Sequence, residues 1–238
     1  MRGPYGFDLN ESCQSHKTRM GGFFCRLSPA ALRDFDAAKS SAAYPAGAVL
    51  FLEKQDPRGI FFLCGGEVKL SISSREGKTL ILRIAKPGEI LGLMATLIGT
   101  PYEVTAEALH PCQVDFVSRD AFLRFVAKHP AAYLNVVKEL SSDYQAACEQ
   151  LRTLGLTSSA HEKLARLLLE WSARGTETGQ GTRIKFPLTH EQIGAFIGTT
   201  RETVTRTLSE FKNRHLVSVH GSTLMIPNRA ALESYVNA

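Results

Sequence analysis

Residues 188–216 read LTHEQIGAFIGTTRETVTRTLSEFKNRHL. Thr189, followed three residues later by Gln192, makes a capping box, so a helix starts at about His190. Ile193 and Ile197 form its buried stripe. Gly194 lets a second helix pack closely, and Gly198 ends the first helix in the conformation that a tight turn requires. Thr199 or Thr200 then caps a second helix with core residues Val204, Leu208 and Phe211. Two short helices joined by a Gly-containing turn predict a helix-turn-helix, whose second helix enters the DNA major groove N-terminus first.

On that second helix, packing leaves Arg201, Glu202, Thr205 and Arg206 free, grouped within about one turn near the helix start. Arginine presents two parallel donors that match O6 and N7 of guanine, and glutamate accepts from the exocyclic amine of cytosine. Each good contact discriminates by about 1–3 kcal/mol. A surface helix laced by a Glu202–Arg206 salt bridge would also account for the charges, but not for their place directly after a capped, glycine-turned pair. Thr189 and Thr200, at the two helix starts, join the candidate DNA contacts. After Leu216, VSVHGSTLMI reads as two short strands with a turn at His220-Gly221-Ser222, the wing of a winged helix. Lys212, Arg214, His215 and His220 are then placed to touch phosphates, which supplies affinity and salt dependence but little sequence information.

Working toward the N-terminus, Leu164, Leu167, Leu168 and Trp171 give a further helix its buried face, and GTETGQGT (175–182) reads as a flexible connection. Before it, Tyr133, Val137, Leu140, Tyr144, Ala147, Leu151 and Leu154 recur at alternating spacings of four and three up to Gly155. That 3.5-residue period predicts a coiled-coil seam between two copies of the chain, although a single amphipathic helix on its own core would show the same face. Between Ala43 and Val117 lie short β-rich runs (AVLFLE, GIFFLC, EVKLSIS, TLILRIA, EVTAEAL, CQVDFVS) separated by glycine-bearing turns, the pattern of an antiparallel sandwich or roll. Ser28 caps and Pro29 opens a helix just before this region, and Asp120–Lys128 makes a short helix just after it. The expected class is α+β, with an N-terminal arm (1–26), a β-roll (27–129), a dimerisation helix (130–155) and a winged helix-turn-helix (156–238).

Charge and composition agree with this division. The 238 residues carry a net charge of +5, and residues 155–238 hold ten Lys/Arg against seven Asp/Glu, leaving +3 in the last third. No apolar run approaches the ~18 residues of a membrane span, and the first residues lack the apolar core of a secretory signal. Five irregularly spaced cysteines suit reduced thiols in a cytoplasm rather than a disulfide framework. Cys64 reads as a core residue, and Cys148, next to Ala147, as a packed thiol or an intersubunit partner. The rival class is a cupin-like metalloenzyme built on the roll. The predicted strands hold no histidine, and no Ser/His/Asp set, P-loop or nucleophile elbow is present, so no enzyme is expected.

The glycine-punctuated roll, the long helix and the IGAFIGTTRETVTRTLSEF motif together resemble the CRP/FNR family of bacterial transcription regulators, over about residues 20–235. The resemblance implies a cyclic-nucleotide-binding-type jelly roll, a homodimer, double-stranded DNA and RNA polymerase as partners, and a TGTGA-like half-site read by Arg201, Glu202 and Arg206. Thr205 departs from the glycine of the cyclic-AMP-type regulators. KPGEILGL, with Gly88, Glu89 and Gly92, is similar to the family's effector cassette. The alignment puts Leu93 where the ribose-binding glutamate belongs, and Tyr102-Glu103 where the phosphate-binding Arg-Ser pair belongs. An anion beside Glu103 without a guanidinium is repelled, so the resemblance argues against cyclic AMP. The FNR branch implies an alternative, a [4Fe–4S] cluster held by Cys13, His16, Cys25 and Cys112. Here eight residues separate His16 from Cys25, rather than five. The effector stays open among this cluster, an unidentified small ligand, haem and none.

Overall fold

A computed structural model describes residues 4–7, 23–24, 27–156, 159–173, 175–185, 188–221 and 223–236. In chain order the elements are α1 (Pro29–Ala38), β1 (Ser40–Tyr44), β2 (Val49–Phe51), β3 (Gly59–Gly65), β4 (Val68–Ser73), β5 (Thr79–Ala85), β6 (Ile90–Leu91), α2 (Leu93–Ile98), β7 (Thr105–Ala108), β8 (Cys112–Ser118) and α3 (Arg119–Lys128). These are followed by α4 (Ala131–Gly155), α5 (Ala160–Ser172), β9 (Thr176–Thr178), β10 (Gly181–Lys185), α6 (His190–Ile197), α7 (Arg201–Asn213), β11 (Ser218–His220), β12 (Thr223–Ile226) and α8 (Arg229–Glu233). The chain divides into two compact units, Met1–Lys78 with Leu82–Ala147, and Thr79–Ile81 with Cys148–Ala238. The helix expected to stand as a separate dimerisation segment contributes residues to both.

The first unit is an antiparallel roll of two four-stranded sheets, ordered β1-β8-β3-β6 and β2-β7-β4-β5. β3 shows why a continuous apolar run belongs here. Side chains alternate across a strand, so Phe61 and Leu63 fill the space between the sheets with Phe51, Val68, Ala106 and Val114. Ile60, Phe62 and Cys64 face the opposite way, into a second core with Leu32, Phe35, Phe122 and Phe125 from the flanking helices. β8 carries the same division: Cys112 and Val114 point between the sheets, while Val117 points to the helices. On the helix side, Lys39 and Ser41 satisfy the fully buried Asp115 at 2.8 and 2.5 Å. The N-terminal arm enters this core, since Phe23 and Phe24 are buried among Phe35, Phe62 and Phe122. Asn135 on α4 ties the arm down by donating to the Phe23 carbonyl at 2.7 Å.

Several elements depart from the sequence reading, among them α8 after the wing, α2, and the segment 175–182. α2 was not expected, and it opens at Gly92, whose φ of 72° brings the chain round so that Leu93 is buried. Residues 175–182 do not form a flexible connection. They build β9, a turn and the start of β10, pinned by the Thr178 hydroxyl, which donates to the Gly181 carbonyl at 2.7 Å. With the wing strands they complete a third sheet, β11-β12-β10-β9, in the second unit. Helices α5–α8 pack with it around Leu164, Leu168, Ile184, Ile193, Leu208, Phe211 and Leu224.

Candidate nucleic-acid interface

The helix pair α6–α7 is built by local rules that the sequence states openly. The capping box at the start of α6 is present: Gln192 N–H donates to the Thr189 hydroxyl at 3.2 Å, and Thr189 N–H donates to the Gln192 side-chain carbonyl at 2.9 Å. Gly198 stops the helix at φ 67°. A Cβ on Gly194 would lie 2.8 Å from the Thr199 carbonyl oxygen, so the backbone of the turn rests directly on that glycine. Of the two threonines that follow, Thr200 is the cap of α7, accepting from Thr203 N–H at 3.2 Å.

Val204, Thr207, Leu208 and Phe211 turn inward on α7, and Arg201, Glu202, Thr205, Arg206 and Lys212 remain exposed. The Glu202–Arg206 salt bridge of the rival surface-helix reading is absent; among the described residues Arg201, Arg206 and Lys212 are held in no ion pair. Glu202 sits at the helix start, where its own backbone N–H and the Thr200 hydroxyl hold its carboxyl below the usual carboxylate range, so it presents an acceptor. The Thr205 hydroxyl donates to the Arg201 carbonyl at 2.9 Å and meets His190 Nδ1 at 2.8 Å. His190 was not among the expected contact residues. Its place at the first turn of α6, within reach of a helix fifteen positions further on, is a tertiary fact. Burial and the nearby Lys212 and Arg201 charges keep its imidazole below its ordinary pKa and hence neutral.

Beyond α7, His215 adopts φ 57° and ends the helix, with Leu216 N–H closing back on the Phe211 carbonyl at 2.9 Å. Arg214 donates to the Tyr235 hydroxyl at 2.6 Å. His220 is exposed at the tip of β11 beside Gly221, and Ser222 lies outside the described residues.

Residues 42–129 match the family of cyclic nucleotide-binding domains, and residues 162–235 match the family of Crp-like helix-turn-helix domains. The chain belongs to the CRP/FNR family. It is 24% identical over 212 residues to the CRP-like cAMP-activated global transcriptional regulator of Mycobacterium tuberculosis, covering 89% of this chain and 94% of that protein. It is 27% identical over 221 residues to the transcriptional activatory protein AadR of Rhodopseudomonas palustris, covering 91% of each. The structure of FixK2 from Bradyrhizobium japonicum has the same fold, with a TM-score of 0.73 at 21% identity over 84% of this chain and 98% of that one.

In this CRP/FNR chain the expected effector positions do not assemble into a polar pocket, which corrects two of them. Leu93 is buried in the helix-side core. Tyr102 is buried between the sheets, stacked on Phe51 at 4.1 Å, and its hydroxyl donates to the Gly59 carbonyl at 2.6 Å. Gly92 is needed for that packing, because its Cβ would meet the Tyr102 ring at 2.6 Å. Glu103 is exposed, and Gly88 N–H is spent on the Leu63 carbonyl at 2.8 Å. Glu89 instead joins a network that sequence reasoning missed: Arg83 on β5 pairs with Glu89 and, at 2.6 Å, with Asp143 on α4. Glu139 lies one helical turn before Asp143, on the same face. Burial, followed by the charges of Glu89 and Asp143, pushes it up to about 7 against the pull of Arg83. The i,i+4 pair of carboxylates was visible in the sequence, but the arginine that faces them was not.

Cys112, the one expected iron–sulfur ligand among the described residues, does not fit that role. Cys112 is fully buried among apolar side chains between the sheets, and that burial pushes its thiol up to about 11, the opposite of what a thiolate ligand needs. Cys13, His16 and Cys25 lie outside the described residues. Cys64 sits in the helix-side core, as its apolar strand implied.

The dimer seam also needs correction. Leu140 is partly buried against the helix-side core and is not on the exposed face. The exposed apolar stripe of α4 is Tyr133, Leu134, Val137, Tyr144 and Leu151, with Ala147 exposed and Leu154 half-buried. Leu134 escaped the sequence reading because it lies one position off the chosen register.

Proposed function

We propose that this CRP/FNR regulator works as a homodimer that reads a TGTGA-like palindrome through Arg201, Glu202 and Arg206. The observation that carries the reading is the recognition helix itself. Two guanidinium groups without ion pairs and one ionised carboxylate stand exposed near the N-terminus of a helix held by a capped, glycine-turned partner. Thr189, Thr200, Lys212 and His220 border that helix and its wing, where phosphates run. Dimerisation uses the apolar stripe of α4, because five large side chains more than half exposed along one helix call for a partner surface. In a pseudo-palindrome the two recognition helices then stand about 34 Å apart, in successive major grooves. α4 runs unbroken from the roll unit into the DNA-reading unit, so a signal bound to the roll acts by changing how the paired helices cross.

The signal is not cyclic AMP in this reading. The positions for its ribose and phosphate hold buried Leu93, buried Tyr102 and an exposed carboxylate, and the guanidinium beside Glu89, that of Arg83, is already shared between two carboxylates. RNA polymerase is the further partner, and the working place is the cytoplasm. No helix among the described residues is long and apolar enough to cross a membrane.

The test is a binding measurement on a TGTGA palindrome and on a scrambled duplex at fixed salt. Arg206→Ala is expected to weaken the palindrome by roughly thirtyfold or more, the loss of about 1–3 kcal/mol in each of two half-sites, while leaving the scrambled duplex nearly unchanged. Equal losses on both would reduce Arg206 to a phosphate contact.

A further inference from the structure

Thr205 is the one exposed hydroxyl of the recognition helix that is bonded to two groups at once. A hydroxyl owns a single proton. The Arg201 carbonyl can only accept, so that proton goes to it, and the imidazole Nδ1 must therefore carry the hydrogen that reaches the Thr205 oxygen at 2.8 Å. Both partners lie within the second unit, and neither is a flexible end: one is helix backbone, the other a ring on the first turn of α6. A back-bond to the preceding turn is common for serine and threonine in helices, and Ser209 makes one to the Thr205 carbonyl. The second bond, from another helix, is what selects one rotamer out of those that permit the back-bond.

This arrangement decides what Thr205 can offer a base. It has no proton left for guanine O6, guanine N7 or adenine N7. What it keeps is one oxygen lone pair, which can accept only from adenine N6 or cytosine N4, and its methyl, whose matching feature in the major groove is the C5 methyl of thymine. We propose that Thr205 reads a thymine by methyl–methyl contact, and that His190 is the positioning residue that fixes it in this orientation. The inference rests on the DNA-reading assignment above and adds one base to it. Arg201, Glu202 and Arg206 read through hydrogen bonds, and Thr205 reads through an apolar contact set between them. The neutrality of His190, favoured first by its partial burial and then by the charges of Lys212 and Arg201, keeps Nε2 an acceptor and leaves Nδ1 as the single donor toward Thr205.

The experiment uses the full chain and a pool of duplexes with a randomised 30-base-pair centre, selected at micromolar protein and low salt. In the enriched site each thymine is replaced singly by deoxyuridine, which removes only the C5 methyl. One thymine in each half-site is expected to lose about fourfold in affinity on replacement, and about fifteenfold when both half-sites are changed, the worth of one buried methyl per site. Thr205→Ser keeps both hydroxyl bonds and loses the methyl. It should bind the thymine and deoxyuridine sites within twofold of each other. His190→Ala should likewise erase most of the discrimination, and His190→Asn, whose amide nitrogen stands where Nδ1 does, should restore it. A merely structural histidine would change affinity for both duplexes alike and leave their ratio intact. Two results overturn the proposal while sparing the DNA-reading assignment: an enriched site in which no thymine is sensitive to deoxyuridine, or full sensitivity retained by Thr205→Ser. A pool that yields no enriched site overturns the assignment itself.

Discussion

Glu139 shows how a single residue can make stability depend on pH. Its folded-state value is about 7 against an ordinary 4.5, because burial and the carboxylates of Glu89 and Asp143 outweigh the one guanidinium of Arg83. Burial raises Glu89 and Asp143 as well, against the same arginine. Below pH 4.5 Glu139 carries its proton whether the chain is folded or not, and its contribution is complete. As pH rises toward 7 the unfolded chain ionises first, so the folded state loses that contribution. Linkage sets a ceiling of roughly 3 kcal/mol, which solvent around a partly exposed side chain cuts to about 1–2 kcal/mol. Unfolding by denaturant at pH 5 and pH 8 should therefore show a steeper loss for the parent protein than for Glu139→Gln. Parallel losses would remove Glu139 from the account. At this scale the sequence exposed the carboxylate pair, four residues apart on one helix, but not its arginine, sixty positions away from Asp143.

At the scale of elements, the helix-turn-helix was legible almost residue by residue, because caps, turns and helix stripes are set by groups within about four positions of one another. Gly194 and Gly198 carry that local logic into a prediction. Gly194→Ala would drive a Cβ into the Thr199 carbonyl, which the backbone of the turn cannot yield cheaply. We expect a loss of about 1–3 kcal/mol in unfolding free energy, together with weaker binding to any palindrome, because the angle between the helices changes. Gly198→Ala meets the Leu154 side chain at 2.8 Å and also places alanine at φ 67°, a strain of roughly 1 kcal/mol. Its thermal midpoint should fall, and an unchanged midpoint would show that the turn relaxes. The hairpin of β9 and β10 was less legible. Its strands are short, glycine-flanked and exposed on β9, so their composition reads as linker until β12 pairs with β10 across 38 to 44 positions of sequence.

At the scale of the whole molecule, the seam and the arm carry the predictions. Val137 is 56% exposed within one chain. Val137→Glu should leave the fold intact by circular dichroism while placing like charges on both sides of a dimer seam. Sedimentation is expected to show monomers, and affinity for an enriched duplex should drop at least tenfold. A dimer that survives would move the interface off this stripe. Phe24 is packed at 4.4 Å from Phe62 and 4.9 Å from Phe35. Phe24→Ala should cost about 3–5 kcal/mol in the roll, measured by denaturant unfolding, whereas a freely hanging arm would give no change.

The heptad-like spacing announced an apolar face on α4 but could not say which of its residues faced the roll and which faced outward, since a periodicity is indifferent to what lies beside it. Packing turned Leu140 inward and Leu134 outward. Alternation, caps and glycine turns are properties of neighbouring residues, and from them the sequence alone determined a β-roll, a long helix and a DNA-reading helix pair. The burial of Leu93, Tyr102 and Cys112, the meeting of Arg83 with Asp143, and the bond from His190 to Thr205 join residues that no local rule connects. Only the close packing of side chains in three dimensions could choose them, because desolvation and hydrogen bonding depend on distance in space rather than along the chain.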